Sequence, residues 1–124
     1  IKKGIHNIKA GIISSKLKIY DYKKAKKNMD NRPLHPHLPC SLVGWDNSAR
    51  RGKNGIVLKD AHPDIFAEYL HKDIDYLLSR KDDIPFLFIN AWNEWAEGNH
   101  LEPDMKYGHG FLHALQKTLA PYVA

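Results

Sequence analysis

The 124-residue sequence has a single cysteine, Cys40, so no disulfide can form within the chain. One cysteine fits a reducing compartment, and the mostly apolar run around it predicts a buried packing residue and not a nucleophile. No stretch approaches the roughly 20 consecutive apolar residues that a membrane-spanning helix needs. The lysine-rich start also lacks the apolar run and cleavage site of a signal peptide. These absences predict a cytoplasmic protein without a transmembrane segment.

Acidic residues are scarce at the start of the chain. Before Asn28, nine lysines meet one acid, Asp21, and they supply much of the net charge of +5. A nucleic-acid groove needs arginines and aromatic residues interleaved with such lysines, and this pattern is not developed here, so no nucleic-acid partner is expected. The pattern favours a solvated face. The alternative is attraction of a phosphorylated donor or peripheral contact with an anionic membrane surface.

The composition, 43% hydrophobic and 27% charged, allows one modest core, so residues 1–124 are expected to form a single partial domain. Residues 1–38 are a poorly determined, lysine-rich segment that ends in a proline-rich connection, with Asp21 as the cap of a short helix. His35 and His37 lie in that connection without a nearby ligand cluster. We predict no metal and no cofactor.

Residues 39–124 are expected to form two strand–loop–helix units that carry the site. Each helix has an apolar stripe, and the second strand is a continuous apolar run, as expected of a strand buried on both faces of a parallel sheet. In chain order the segments are a strand Pro39 to Val43, a polar loop Gly44 to Arg51, a helix from Pro63, a strand Pro85 to Ile89, a loop Trp92 to Gly110 and a helix from Phe111.

Two such units imply parallel strands joined by right-handed crossovers, with both polar loops at one edge of the sheet. In α/β barrels the active site lies at this edge, where the strands end. A complete barrel needs about 200 residues or more, which exceeds this chain. The predicted fold class is therefore α/β, as the C-terminal portion of a TIM-type (β/α)8 barrel that is incomplete at this length.

Two glutamates, Glu94 and Glu97, lie three residues apart among tryptophans, directly after the second predicted strand. Glycosidic-bond chemistry uses two carboxyl groups near the anomeric carbon, and one helical turn can present both. Tryptophan offers a flat apolar face for a sugar ring. The pattern indicates a carbohydrate site. The alternative is a pair of solvated acids at the start of a loop.

Three segments carry a resemblance to a known family. They are Trp45-Asp-Asn-Ser-Ala-Arg50, His62-Pro-Asp-Ile-Phe66, and the long motif Phe88-Ile-Asn-Ala-Trp-Asn-Glu-Trp-Ala-Glu-Gly-Asn-His-Leu-Glu-Pro-Asp104 with the following Tyr107-Gly108. Together they resemble the C-terminal part of the WbsX-type glycosyltransferases. This resemblance implies a bacterial enzyme of O-antigen or other surface polysaccharide synthesis. Its substrate would be a saccharide or glycan, with a nucleotide-sugar or lipid-linked donor.

The long motif also resembles glycoside hydrolase family 99, the endo-α-mannosidases. That resemblance implies that Glu94 draws the proton from the sugar 2-hydroxyl, so that this oxygen attacks the anomeric carbon and forms an epoxide-like intermediate. Glu97 would be the general acid/base. A retaining hydrolase is therefore the alternative activity, and a noncatalytic sugar-binding module or a truncated structural fragment is the alternative of another class.

Further residues around the pair are candidates for substrate binding. The candidates are Trp45, Asp46, Asn47, Arg50, Trp92, Asn93, Trp95, His100 and Glu102. For Asp46 and Asn47 an Asx turn that closes the loop is an equal alternative. For Arg50, which could bind a phosphate, a salt bridge to Glu97 or Glu102 is the simpler interpretation.

Overall fold

A computed structural model of the protein describes residues 16–29, 37–80 and 86–123. The described chain is a mixed α/β structure, which confirms that part of the predicted fold class. Its strands are β1 (Lys18–Asp21), β2 (Cys40–Leu42), β3 (Trp45–Asp46), β4 (Ile56–Lys59), β5 (Phe88–Asn90), β6 (Asn93–Glu94) and β7 (Asn99–His100). Its α-helices are α1 (Tyr22–Met29), α2 (Ser48–Arg51), α3 (Pro63–Ser79) and α4 (Gly110–Leu119), and shorter 3-10 turns span Gly52–Asn54, Trp95–Glu97 and Ala120–Tyr122.

Strands β2 and β5 pair in parallel, with Ser41 opposite Ile89. The chain passes between them through α3, so the predicted pair of parallel strands with a helical connection is confirmed. The helix begins at Pro63, where proline loses no intrahelical hydrogen bond. His62 caps it, since the Nδ1 atom of His62 accepts a hydrogen bond from the Asp64 amide at 3.2 Å.

A second parallel pair, β1 with β4, was not predicted, and β3 lies antiparallel on the other side of β4. The four residues of β4 are too few to show the alternation of apolar and polar side chains that indicates a strand. Strand β1 lies within residues 1–38, for which the sequence predicted little structure. Asp21 ends β1 and caps α1 as predicted, because its Oδ1 accepts the Lys24 amide at 2.8 Å. Residues 1–15 and His35 lie outside the described ranges.

The core lies between the β2–β5 pair and the packed helices α3 and α4. Phe66 of α3 is 1% exposed, and its ring meets Phe111 of α4 edge to face at 5.8 Å between centroids. The buried apolar cluster consists of Val43, Phe66, Leu70, Ile74, Leu101 and Phe111. Because Leu101 belongs to this cluster, the core also anchors the segment that follows Glu97.

Two predictions about burial are wrong. Phe88 in β5 is 54% exposed and Phe86 before it is 61% exposed, so this strand is not buried on both faces. In the described chain β5 has one paired neighbour, β2, which leaves its other edge uncovered. Cys40 is exposed at the start of β2 and is not a core residue. Partial burial nevertheless raises the pKa of the Cys40 thiol, against a smaller opposing effect of Lys26.

A buried polar contact joins β2 to α3. Ser41, 1% exposed, donates its hydroxyl to Oδ2 of Asp73 at 2.5 Å. Nearby, the Tyr22 hydroxyl donates to the carbonyl of Leu42. Burial, together with the Asp73 charge, raises the pKa of Tyr22 well above its usual range. Asp73 and Asp75 form an Asp-x-Asp triplet, a pattern with which many metal-dependent transferases bind a nucleotide sugar. Here Asp73 is buried and bonded to Ser41, so its carboxylate serves the core.

No helix in the described ranges is long and apolar enough to cross a membrane.

Candidate functional site

The two polar loops meet at the ends of β2 and β5, as predicted. The amide of Val43 donates to the carbonyl of Asn90 at 2.9 Å, and the amide of Gly44 donates to Oδ1 of Asn99 at 3.2 Å. The approach is close at Gly44, where an added Cβ would lie 3.0 Å from the carbonyl oxygen of Gly98. One edge of the structure therefore carries both sets of candidate residues.

A short hairpin presents the two glutamates. Strands β6 and β7 pair antiparallel, with Asn93 opposite His100 and Glu94 opposite Asn99. Between them the chain makes a single 3-10 turn that ends at Glu97 and is closed by Gly98 in the left-handed conformation, with φ 54°. The spacing of the glutamates thus corresponds to one tight turn, which starts directly after Glu94. Glu94 is exposed, whereas Glu97 is partly buried.

Arg50 reaches across from the neighbouring loop to Glu97. Its Nη2 atom contacts Oε1 of Glu97, and the side chains are 59% and 15% exposed, respectively. A guanidinium in this position favours the ionised carboxylate. The salt bridge proposed as the simpler role of Arg50 is therefore what the structure shows.

Asp46 and Asn47 fix the loop between β3 and α2. Oδ1 of Asp46 accepts the Ser48 amide at 2.9 Å and the Ser48 hydroxyl at 2.5 Å. Asn47 is 9% exposed, and its Oδ1 accepts the Ile56 amide at 2.8 Å. The Asx-turn alternative is thus present at Asp46, and the Asn47 side chain ties the loop to β4.

Trp95, His100 and Glu102 form a connected group beside the turn. The indole Nε1 of Trp95 donates to Oε2 of Glu102 at 2.7 Å, and its rings stack on His100 with centroids 3.7 Å apart and an interplanar angle of 18°. Trp95 is still 50% exposed. On the other side of Glu94, Trp92 is 55% exposed and Asn93 is also exposed. Aromatic surface is therefore accessible on both sides of the glutamate motif.

A cleft of about 240 Å³ opens beside the hairpin. Three predicted residues, Trp45, Asp46 and His100, line it, but neither Glu94 nor Glu97 does. Polar residues that the sequence analysis did not select also contribute, namely Lys59, Asp60, Asp104, Lys106 and Tyr107. The structure therefore divides the predicted site into a glutamate turn and an adjacent cleft.

Asn99 was missed by the sequence analysis although it holds the edge together. It is 0% exposed, its Nδ2 donates to Oδ1 of Asn90 at 3.0 Å, and its Oδ1 accepts the Gly44 amide. The bond to Gly44 joins a segment 55 positions away to the hairpin, and the bond to Asn90 ties the hairpin to the end of β5. Its sequence signal is its position directly after Gly98, within the long motif that carries the family resemblance.

Gly98 provides a stability prediction with a matched control. Gly98 and Gly108 share a φ of +54°, but a Cβ at Gly98 would lie 3.0 Å from Cβ of Asp46, whereas a Cβ at Gly108 meets nothing within 4 Å. Both alanine variants should lose about 1 kcal/mol to left-handed strain. Gly98→Ala should lose more, since the two loops must separate. Urea unfolding measures the difference, and equal losses would show that the loops do not pack as described.

Comparison with known proteins identifies the family of the chain. The family model named Glycosyltransferase WbsX matches residues 2–115. The chain therefore belongs to the WbsX glycosyltransferase family, which confirms the resemblance found in the sequence.

Two curated relatives from Xanthomonas campestris pv. campestris, in strains B100 and ATCC 33913, are each named "Uncharacterized protein WxcX". Each is 36% identical over 111 residues. The aligned part is 86% of this chain but only 16% of the relative, so the chain spans about one sixth of their length. No solved structure matches the chain.

Proposed function

We propose that this chain supplies the paired-glutamate site of a WbsX-type glycosyltransferase that builds bacterial surface polysaccharide, such as the O-antigen of lipopolysaccharide. One observation carries the proposal: Glu94 directly precedes a single tight turn and Glu97 ends it, within the family-matched region and at the edge where the ends of β2 and β5 meet. Exposed Trp92 and Trp95 beside the turn offer stacking faces for sugar rings.

The resemblance to family 99 hydrolases suggests how the pair acts. Glu94 takes the proton of the sugar 2-hydroxyl, and this oxygen attacks the anomeric carbon as the bond to the leaving oxygen breaks. Glu97, protonated once it leaves Arg50, gives its proton to the leaving oxygen and then takes one from the acceptor hydroxyl, whose oxygen attacks the anomeric carbon. The bond from that carbon to O2 breaks, and Glu94 returns its proton to O2. The guanidinium of Arg50 favours the carboxylate form of Glu97, which is the form that this second step needs. A phosphorylated donor would compete for Arg50 and so release Glu97.

We propose further that the chain is the C-terminal portion of a TIM-type barrel. The two parallel pairs, β1 with β4 and β2 with β5, support this, because parallel sheets are covered on both faces. The side chain of Ile19 in β1 is 56% exposed and that of Phe88 in β5 is 54% exposed. Further strands and helices of a longer protein would cover both strands. The cytoplasmic location expected from the sequence stays a prediction.

The Arg50–Glu97 ion pair also favours a second candidate, a noncatalytic sugar-binding module. If Arg50 holds Glu97 permanently, the carboxylate serves to fix the two loops and not to transfer protons. Such a module would bind glycan without turnover. Its affinity would not change in Glu97→Gln, provided that the fold is kept.

Product analysis with the native protein that contains this chain tests the proposal. Incubated with a labelled glycan donor and an acceptor, a transferase yields an elongated glycan. Free reducing sugar as the main product would instead support the hydrolase, because water has then taken the place of the acceptor. Binding without either product would support the noncatalytic module.

A further inference from the structure

The ring of His100 is buried without hydrogen bonds. Both Nδ1 and Nε2 are inaccessible and have no hydrogen-bond partner among the described residues. The carboxylate of Asp104 lies 3.4 Å from Nε2, and both side chains are 15% exposed. Since Trp95 stacks on the ring, its orientation is fixed. Buried polar groups nearly always have a partner, and a ligand in the cleft can supply one to these nitrogens once a neighbouring side chain moves, as side chains at binding sites commonly do.

The cleft that His100 lines has the size of a site for one small ring. Its volume of about 240 Å³ lies below the roughly 300–1,000 Å³ of pockets for drug-sized ligands. Trp45 contributes an aromatic side chain, while Asp46 and Asp60 contribute carboxylates. An aromatic side chain with several acceptors and donors suits a polyhydroxylated ring, whose C–H face packs while its hydroxyl groups form hydrogen bonds.

The charge of the lining selects against an anionic ligand. Three carboxylates, Asp46, Asp60 and Asp104, face two ammonium groups, Lys59 and Lys106. One ammonium is already matched, because Nζ of Lys59 lies 3.6 Å from Oδ2 of Asp60. A phosphate would therefore meet a net negative lining, whereas an uncharged sugar would not. Arg50, the cation that we propose for an anionic donor, lies outside this lining, beside Glu97.

We infer that this cleft binds one uncharged hexose ring of the acceptor glycan, with His100 and Asp104 among the residues that contact it. The assignment of the ring to the acceptor rests on the proposed transferase function. Gly98 lines the cleft and directly follows Glu97, so a ring in the cleft lies next to the turn that carries the reactive carboxylates. The two parts of the divided site then have separate tasks, with bond chemistry at the glutamate turn and acceptor positioning in the cleft.

Titration of the 124-residue chain with methyl hexopyranosides, followed by the ring-nitrogen signals of ¹⁵N-labelled histidine, tests the inference. Methyl α-D-mannopyranoside and methyl α-D-glucopyranoside serve as probes, and inorganic phosphate serves as the charged comparison. At millimolar concentrations at least one hexoside should shift the His100 signals in a saturable way, and phosphate should not. No shift with either hexoside, or a saturable shift with phosphate alone, would overturn the inference.

Two variants separate loss of binding from loss of the fold. His100→Gln removes the ring, whereas His100→Phe keeps a ring for the stack on Trp95 and removes only the nitrogens. His71→Gln, at an exposed position on α3, is the matched control. Among variants that retain the thermal unfolding transition, binding of the hexoside, measured by calorimetry, should be lost in both His100 variants and kept in His71→Gln. Binding that persists in His100→Phe would overturn the inference.

The native protein then separates this inference from the proposed function. If the chain binds a hexoside through His100 but the native protein makes no transfer product, the cleft stands as a sugar site and the transferase proposal fails. If transfer occurs and His100→Phe leaves KM for the acceptor unchanged, the cleft assignment fails and the transferase proposal stands. Both are supported if His100→Phe raises KM for the acceptor with a smaller effect on kcat.

Discussion

Glu97→Gln should lower the rate of glycan transfer by about 10²–10⁴-fold, the usual contribution of a general acid/base. Glutamine keeps the shape of the side chain but cannot give or take the proton that both half-reactions need. The contact with Arg50 can survive as a neutral hydrogen bond, so the two loops should still meet. The rate is measured in extracts of cells that express the native protein from its own gene, with protein amounts matched by immunoblot.

Glu68→Gln is the matched control for that experiment. Glu68 lies exposed on α3 and pairs with Lys72 at 3.1 Å and Lys23 at 3.4 Å. These ion pairs lower the pKa of Glu68, but exposed pairs add little stability. Transfer should stay at the wild-type rate in this variant. An unchanged rate in Glu97→Gln, or an equal loss in both variants, would contradict the role proposed for Glu97.

Phe66→Ala should destabilise the 124-residue chain by about 3–5 kcal/mol, the cost of emptying a phenylalanine site in a core. Phe66 is 1% exposed and packs against the Phe111 ring, so its removal leaves a cavity between α3 and α4. Small domains have only about 5–15 kcal/mol in total. Urea unfolding should therefore show a large drop in the midpoint.

Phe88→Ala is the control for the core, because that side chain is 54% exposed. In the 124-residue chain it should change stability by less than about 0.5 kcal/mol, as surface substitutions usually do. If the chain is part of a larger barrel, the same change should cost more in the native protein, where further strands cover β5. Equal costs for Phe66→Ala and Phe88→Ala in the 124-residue chain would show that the core is not where the structure places it.

The sequence was informative wherever a local pattern decides the structure. The apolar stripe of α3 and its proline start predicted that helix, and the repeated strand–helix pattern predicted that β2 and β5 are parallel. From these two features followed the meeting of the polar loops, which the bond between Gly44 and Asn99 confirms. The family could also be identified, because the glutamate motif is long and specific.

Features that depend on distant partners could not be predicted in this way. Strand β4 has four residues, and its parallel partner β1 lies 38 positions earlier, as in the pair Lys18 and Ile56. Asn99 shows its role only through contacts with two other segments. The exposure of Cys40 and Phe88 depends on which neighbours cover β2 and β5, and an apolar run does not specify them.

The measurement that tests the central claim most directly is a crystal structure of the native protein with a bound glycan, because it shows the carboxyl groups of Glu94 and Glu97 relative to the sugar. We expect the carboxyl group of Glu94 at the sugar 2-hydroxyl and that of Glu97 at the leaving oxygen, each within a hydrogen-bond distance of about 2.6–3.2 Å, with Arg50 released from Glu97. A glycan bound elsewhere, with Glu97 still paired to Arg50, would contradict the account and leave the chain a sugar-binding module.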